Sequence, residues 1–304
     1  MPGIVLVNPT SGPDDTSVRD LTVLFVGHDI EECAPERLAE RVGAAAADGA
    51  DFVAVAGGDG TIRTAVEAIM ALGEEPCPLL VVPTGTRNHF AGDLGIGSVD
   101  DAAAAAATGR VQRVDVGCVN DRLFVNNSSI GIYPRIVVTR DSQGRRLGGW
   151  RLPKGVATAV AAYKQLRRGA RFTVTVEGSG GSSFAAWMVF VGNGRYGEGL
   201  LDLSDRDTLT DGVLDVRIVR ADQPLARARI VGALLLGRLA RCPLVVRLSP
   251  LRTTLQLTRP DVEVALDGEV ERLTAPLRYE SRPGALAVLV PAHNPPGDGP
   301  ERPP

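Results

Sequence analysis

The segment Asp51 to Thr61 reads DFVAVAGGDGT: an apolar run ends in Gly57-Gly58-Asp59-Gly60-Thr61, and a helical pattern follows. Glycines without side chains let backbone N–H groups close on phosphate oxygens, and the start of a helix adds the positive end of its dipole. A carboxylate inside such a loop repels phosphate unless a cation intervenes, so Asp59 points to Mg2+, held directly or through water. The alternative is a tight strand-to-helix turn with Asp59 as its N-cap.

A second segment has the same layout. PTGTRNHFAGDLGI, Pro83 to Ile96, follows the apolar run Pro78 to Val82 and passes into a helical stretch. Two such loops at the carboxyl ends of strands in one parallel sheet define a crevice, the usual ligand site of that architecture. NPTSG, Asn8 to Gly12, follows the first strand-like run, Gly3 to Val7, and faces the same edge.

Other chemistries are excluded by pattern. The only lysines, Lys154 and Lys164, stand in no Walker A context, and no G-x-S-x-G or H-E-x-x-H occurs. Gly192 to Gly197 (GNGRYG) matches G-x-G-x-x-G, but the polar stretch Glu198 to Asp211 lacks the helical period a dinucleotide fingerprint needs.

GGDGT followed by PTGTRNHFAGDLGI resembles the diacylglycerol kinase catalytic-domain family, which includes bacterial lipid kinases and sphingosine kinases. The resemblance continues through NPTSG, GNGRYGEG (192–199), LTDGVLDV (209–216) and LDGEV (266–270), in family order over nearly the whole chain. GGDGT alone is shared with NAD kinases and phosphofructokinases; the late DGE makes the match specific. Three positions depart from the family pattern: Arg63 stands where Asn is usual, Thr64 where Glu is frequent, and His89 where many members carry Asp.

The resemblance implies an N-terminal nucleotide-binding α/β domain with a three-layer parallel sheet of the NAD kinase/phosphofructokinase type, a C-terminal antiparallel β-sandwich, and an active site between them. It implies ATP held by Asn8, Pro9, Thr10, Ser11 and Gly12, by Gly57, Gly58, Asp59, Gly60, Thr61 and Arg63, and by Thr86 and Asn88. It implies Asp267 as general base on a lipid hydroxyl, with Glu269 beside it in the metal network. It also implies a structural Mg2+ at the turn formed by Asp211, with carbonyls of Thr208 and Val213. From local sequence alone Asp267-Gly268 is also a hairpin turn, and both roles are compatible.

The elements that must position these residues change character midway. Strands at Gly3–Val7, Thr22–Val26, Asp51–Ala56 and Pro78–Val82 alternate with helices at Pro35–Ala47, Ile62–Leu72 and Asp100–Thr108, the pattern of a parallel α/β sheet. Only Pro13 to Leu21 separates NPTSG from the second strand, so the first helix of that sheet is expected to be missing. Beyond Arg113, short strand-like runs at close spacing predict a sandwich, with a hairpin around Asn120-Asp121-Arg122 and helices only near 153–168 and 225–239. The expected units are residues 1–112, residues 113–292 and a disordered tail, residues 293–304.

Composition fits a globular chain: 44% hydrophobic and 23% charged residues exclude disordered and collagen-like classes, and a net charge of −3 excludes a nucleic-acid-coating cation. The four cysteines form no C-x-x-C, which points to a reduced interior rather than a disulfide framework. No signal peptide and no transmembrane run are expected. Arg135 to Arg171 holds ten basic residues and one acidic residue, +9 in a chain of −3, so the remainder sums to −12. Basic residues flanking an apolar helix attract anionic lipid, giving an expected partner (an anionic membrane surface) and a peripheral cytoplasmic location at the inner face of the membrane. Taken together these features predict an ATP- and Mg2+-dependent lipid kinase acting on diacylglycerol or a related lipid. A small-molecule kinase of the NAD kinase type and a non-catalytic nucleotide- or lipid-binding homologue remain the alternatives.

Overall fold

Three near-continuous apolar runs form the centre of a parallel sheet: β1 (Ile4–Val7), β3 (Val53–Gly57) and β4 (Leu79–Pro83), buried along almost their whole length. Strands that carry helices on their faces have no polar side, which is why they do not alternate. The polar strand β2 (Asp29–Glu32) makes the edge, and the order β2-β1-β3-β4 is parallel throughout. The computed structural model describes residues 2–10, 18–73, 77–131, 171–177, 182–197, 206–236 and 242–292. Ser11, Gly12, the basic stretch to residue 170 and the tail from residue 293 lie outside the described residues.

Helices follow each strand. α2 (Pro35–Ala47) has proline at its first turn and buries Leu38, Val42 and Ala45, one stripe of its surface. α3 (Asp59–Met70) packs on α2 and on β3 and β4. The short α4 (His89–Asp93) precedes α5 (Val99–Thr108), which opens on a capping box: Ser98 Oγ accepts from Asp101 N at 3.2 Å and Asp101 Oδ2 accepts from Ser98 N at 2.9 Å.

The strand expected over Thr22–Val26 is instead the end of a helix, α1 (Val18–Leu24), and the second strand comes later, at β2. Leu21 and Phe25 are buried while Val23 and Val26 are 74% and 79% exposed. Buried residues four apart make a helical face, so the apolar composition of this stretch misleads where its spacing does not. The helix expected to be missing is therefore present.

The second half is antiparallel: β5 (Arg110–Val119), β6 (Arg122–Phe124), β7 (Asn127–Gly131), β8 (Phe172–Glu177), β9 (Ser182–Asn193), β10 (Leu214–Arg220), β11 (Val245–Leu248), β12 (Arg252–Leu257), β13 (Asp261–Leu266), β14 (Glu269–Thr274) and β15 (Leu277–Val290). The order β14-β13-β7-β9-β8-β12-β15 is joined by β10 and β11 on β9 and by β5 and β6 on β15. Its interior is lined by Val189, Val191, Val216, Ile218, Leu255, Leu266 and Tyr279. The helix α6 (Ala226–Leu235) covers a separate cluster around Trp187 and Phe190. The α/β sheet and antiparallel sandwich expected from the sequence are both present. None of the described helices is long and apolar enough to cross a membrane.

β15 connects the halves. Its first part pairs with β12, and a register shift falls between Arg282 and Leu286, at Pro283-Gly284. Beyond the shift it runs parallel to β4, with Val288 opposite Leu79, and Leu286, Val288 and Val290 enter the core of the α/β half. β5 follows β15 across both halves and spans the divide expected between residues 112 and 113.

Candidate active site

The parallel register puts the ends of β1, β3 and β4 on one edge, and their loops touch. Asn8 Nδ2 donates to Thr61 Oγ1 at 3.0 Å, while Asn8 Oδ1 accepts from the Thr10 amide at 3.0 Å and from Thr10 Oγ1 at 2.8 Å. Thr61 lies so close over Gly57 that a Cβ there would fall 2.5 Å from it; a Cβ on Gly85 would fall 2.4 Å from Gly58 Cα. Gly85 is required by the contact of the two loops, and Gly57 by the fold of its own loop back over it. Asn88 shapes the second loop from a left-handed backbone (φ 47°), accepting from the Gly85 amide at 3.0 Å and donating to its carbonyl at 2.7 Å. Pro9, Thr10 and Thr86 are exposed at this edge.

The N-cap of α3 is Gly58, which brings no side chain to cap the first turn, and Asp59 is the first helical residue. The first-turn amides are thus left for an anion. The Asp59 carboxylate turns sideways: Oδ1 accepts from Phe90 N at 3.4 Å and from Asn126 Nδ2 at 3.3 Å. Asp59 therefore ties α3 to α4 and to the sandwich.

Asp267 approaches from the other half. It sits at φ 49° with Gly268 at φ 97°, two consecutive left-handed residues joining β13 to β14, so the hairpin-turn role is real. Its carboxylate is gripped by three successive amides: Oδ1 accepts from Asn126 N at 2.8 Å and Asn127 N at 3.0 Å, and Oδ2 accepts from Val125 N at 2.8 Å. Burial pushes the Asp267 carboxyl up to about 6, against the pull of these amides and with added repulsion from Asp59. A carboxylate offers about four acceptor positions, so one remains, on Oδ2.

Asn126 is the hub that sequence reasoning missed. Beyond both aspartates, its side-chain oxygen accepts from Arg206 Nη2 at 3.2 Å and its carbonyl from Tyr196 Oη at 2.8 Å. Arg206 is fully buried and also bridges the halves: Nε and Nη2 donate to Asp93 Oδ2, the Nε contact at 2.9 Å, while Nη1 reaches the carbonyls of Val125 at 2.8 Å and Asn193 at 3.0 Å. Burial pushes the Asp93 carboxyl up, with Arg206 pulling it back. The available signal was a pair of amides, Asn126-Asn127, directly after the apolar Leu123-Phe124-Val125.

Glu269 is exposed, with a carboxylate so near the first turn of α3 that a Cβ on Gly60 would meet it at 2.4 Å. Arg63 stands apart from the loop set. Its buried guanidinium turns to the β13–β14 hairpin, where Nη1 donates to the Leu266 carbonyl at 3.3 Å and Nη2 to Glu271.

Asp211 lies elsewhere, beside the loop after β9. Arg195 Nε is 3.6 Å from Oδ2, and neither carboxylate oxygen accepts a well-formed hydrogen bond. Burial pushes its carboxyl up, eased by the Val213 amide and Arg195 and increased by Asp115. The Val213 carbonyl accepts from Gly194 N at 2.9 Å, and a Cβ on Gly194 would meet the Thr208 carbonyl at 2.5 Å, so both carbonyls face Gly194. Both Asp211 oxygens are buried without a hydrogen-bond donor and are hard ligands of the kind Mg2+ takes, while the two carbonyls face Gly194.

Residues 2–119 match the diacylglycerol kinase catalytic domain, and residues 131–290 match the YegS C-terminal NAD kinase beta sandwich-like domain. A Pseudomonas putida protein named "Probable lipid kinase YegS-like" is 31% identical over 290 residues, covering 93% of this chain and 88% of that protein. A diacylglycerol kinase structure from Bacillus anthracis superposes with a TM-score of 0.67 over 97% of both chains, at 19% identity. An NAD kinase from Archaeoglobus fulgidus, solved in complex with ATP, superposes with a TM-score of 0.51 over 95% of this chain and 94% of its own, at 11% identity. The last two are likenesses of fold. With a glycine-loop edge, a sandwich carboxylate facing it and a full-length match, the chain belongs to the YegS-like lipid kinases of the diacylglycerol kinase catalytic-domain family.

Proposed function

We propose that the protein transfers the γ-phosphoryl group of ATP to a hydroxyl of diacylglycerol or a related lipid. The observation that carries this reading is the meeting of Asp59 and Asp267, from opposite halves, on Asn126 beside the two glycine loops. The nucleotide is held by the loop after β1, by Gly57 to Thr61 and by the Thr86 loop, where uncapped first-turn amides of α3 receive phosphate oxygens. Asn88 serves by fixing that second loop.

The lipid hydroxyl gives its proton to Asp267 Oδ2, the atom with an acceptor position left. The lipid oxygen then bonds to the γ-phosphorus as the bond to the ADP oxygen breaks. Such transfer is mostly positioning and charge neutralisation. The three amides on Asp267 fix its plane, and Asp59 holds the start of α3 against the sandwich. Bound Mg2+ supplies neutralisation of phosphate charge, with Asp59 and Glu269 the carboxylates nearest the loops. Asp211, with the carbonyls of Thr208 and Val213, would hold a second, structural Mg2+ at the sandwich turn. The basic stretch 135–171 docks the enzyme on anionic lipid at the inner face of the membrane, a part of the proposal resting on charge alone.

The test is transfer of label from γ-labelled ATP to dioleoylglycerol in mixed micelles, run beside NAD. Labelled phosphatidic acid is expected. Label in NAD alone would replace the lipid acceptor with a small-molecule one, and label in neither these nor a mixed lipid extract would leave a binding protein.

A further inference from the structure

Arg63, Arg122 and Glu271 lie outside the reacting groups, yet each belongs to a segment that carries a residue of the site. Arg63 follows Asp59 by four residues on α3. Arg122, on β6, precedes Val125 by three. Glu271 follows Asp267 by four on β14. The three meet: Arg122 Nε donates to Glu271 Oε2 at 2.7 Å and its Nη2 to Oε1 at 3.0 Å, and Arg63 Nη2 donates to the same Oε1. Arg63 Nη1 also reaches the carbonyl of Leu266, the residue before Asp267. Glu67 and Glu269 flank the cluster, 3.9 Å and 3.5 Å from Arg63.

We propose that Glu271, clamped between Arg63 and Arg122, is the positioning residue that sets Asp267 and its amide grip against Asp59. The Arg63 side chain is 6% exposed. A guanidinium buried to that degree is costly without partners, and because its Nε is buried with no hydrogen-bond acceptor, it depends on the two its other nitrogens reach. Its fork makes two contacts in two directions, one to the backbone at the hairpin turn and one to Glu271. The hairpin therefore cannot slide along α3 without taking both hydrogen-bond acceptors from a buried cation. Arg122 applies the same constraint to the strand that runs into Val125, Asn126 and Asn127. One carboxylate thus fixes three segments whose site residues come from distant parts of the chain. The departure from the family's usual Asn at Arg63 belongs with this clamp.

The rate arm of the test rests on the proposed lipid kinase activity; a second arm does not. Arg63→Lys keeps the charge but not the fork, and Glu271→Gln keeps the shape but not the charge. Each is made alone and on an Asp267→Asn background. With γ-labelled ATP and dioleoylglycerol in mixed micelles, each single variant is expected to lower kcat about 10- to 100-fold, the scale of a misplaced reacting group, with KM for ATP nearly unchanged. On the Asp267→Asn background, single-turnover rates are expected to fall no further. Equal losses on both backgrounds would mean general destabilisation and would overturn the proposal.

The second arm is amide hydrogen exchange of Val125, Asn126 and Asn127, which is expected to quicken in both variants while β3 and β4 exchange as in the wild type. Wild-type protection at those three amides would overturn the clamp. If the wild-type chain labels no lipid, the functional reading fails and the exchange arm alone decides the clamp. If Glu271→Gln does not fold, Arg63→Lys decides it.

Discussion

Asp59 and Asp267 belong to different halves of the molecule and are bound to one residue: Asn126 gives its side-chain amide to Asp59 and its backbone amide to Asp267. Neither aspartate can move without disturbing the other's donor. The two carboxylates are not equivalent, because one sits on a helix start and the other is buried, which raises its proton affinity against the pull of its three amides.

Asp267→Asn removes the proton acceptor, and turnover is expected to fall about 10²–10⁴-fold with ATP affinity nearly unchanged. The change is not silent for stability. The Asn oxygen can still accept from the Asn126 and Asn127 amides, but its NH2 then faces the Val125 amide. An orphaned buried donor costs about 1–3 kcal/mol. Urea unfolding checks this, and near-wild-type turnover would shift the base elsewhere, with Glu269 the next candidate.

The pH dependence follows from Asp267, whose carboxyl lies at about 6 in the fold against an ordinary 3.8. A base must be ionised, so kcat/KM is expected to rise with pH through about 6 and then level. Stability moves the other way. A group that holds its proton more tightly when folded contributes stability that is complete below about 3.8 and lost as pH rises through about 6. Wild type should therefore lose ground to Asp267→Asn across that window, by on the order of 2–3 kcal/mol. Denaturant midpoints of both proteins between pH 4 and pH 7 measure it; a constant difference would refute the assignment.

Asp93→Asn leaves the buried Arg206 without its carboxylate and is expected to destabilise by about 3–5 kcal/mol. Adding Arg206→Met should recover part of that loss, since the charge left unpaired is then gone. Chemical unfolding of the single and double variants tests this; strictly additive losses would mean that the pair is not coupled.

Mg2+ at Asp211 predicts a stability effect separable from catalysis. Ligand at about 100 times its Kd adds about 2.7 kcal/mol, so the thermal midpoint of the nucleotide-free wild type should rise with Mg2+. Asp211→Asn should abolish the rise. An equal rise in both proteins would place the ion elsewhere.

Arg167→Glu with Arg168→Glu tests docking by the basic stretch. Binding of wild type to phosphatidylglycerol-containing vesicles should weaken steeply above physiological salt, as screening predicts. The double variant should raise KM for vesicle-borne diacylglycerol more than for a short-chain soluble analogue. Equal effects on both substrates would remove these residues from docking.

Much of the fold was legible because its signals are local. Pro35 starts α2 as expected, and the apolar runs of β3 and β4 announce a covered parallel sheet. β14 carries little strand signal because Glu269, Glu271 and Arg272 break up the apolar alternation of an edge strand whose Val270 is exposed. The full length of β15 is masked in the sequence because Arg282-Pro283-Gly284 interrupts it, at a register shift. Glycine loops and the Asp267 turn carry their chemistry in consecutive residues, and so could be found. Asn126, Arg206 and Glu271 act through partners far away in sequence, and an isolated Asn, Arg or Glu announces no such partner. Arg63 shows the same limit from the other side: the family resemblance implied a nucleotide contact there, whereas its side chain turns to a hairpin from the other end of the chain.

The course of β15 bears on the order in which the protein can be made. The α/β sheet is closed by residues 286–290, among the last of the described chain to leave the ribosome. Until then β4 presents an open edge, a template for wrong pairing with a second nascent chain. The α/β half is synthesised first yet completed last, so its cooperative folding waits on the far end of the polypeptide. A stalled or truncated product lacking that strand would be a substrate for chaperones and proteases rather than a smaller working enzyme.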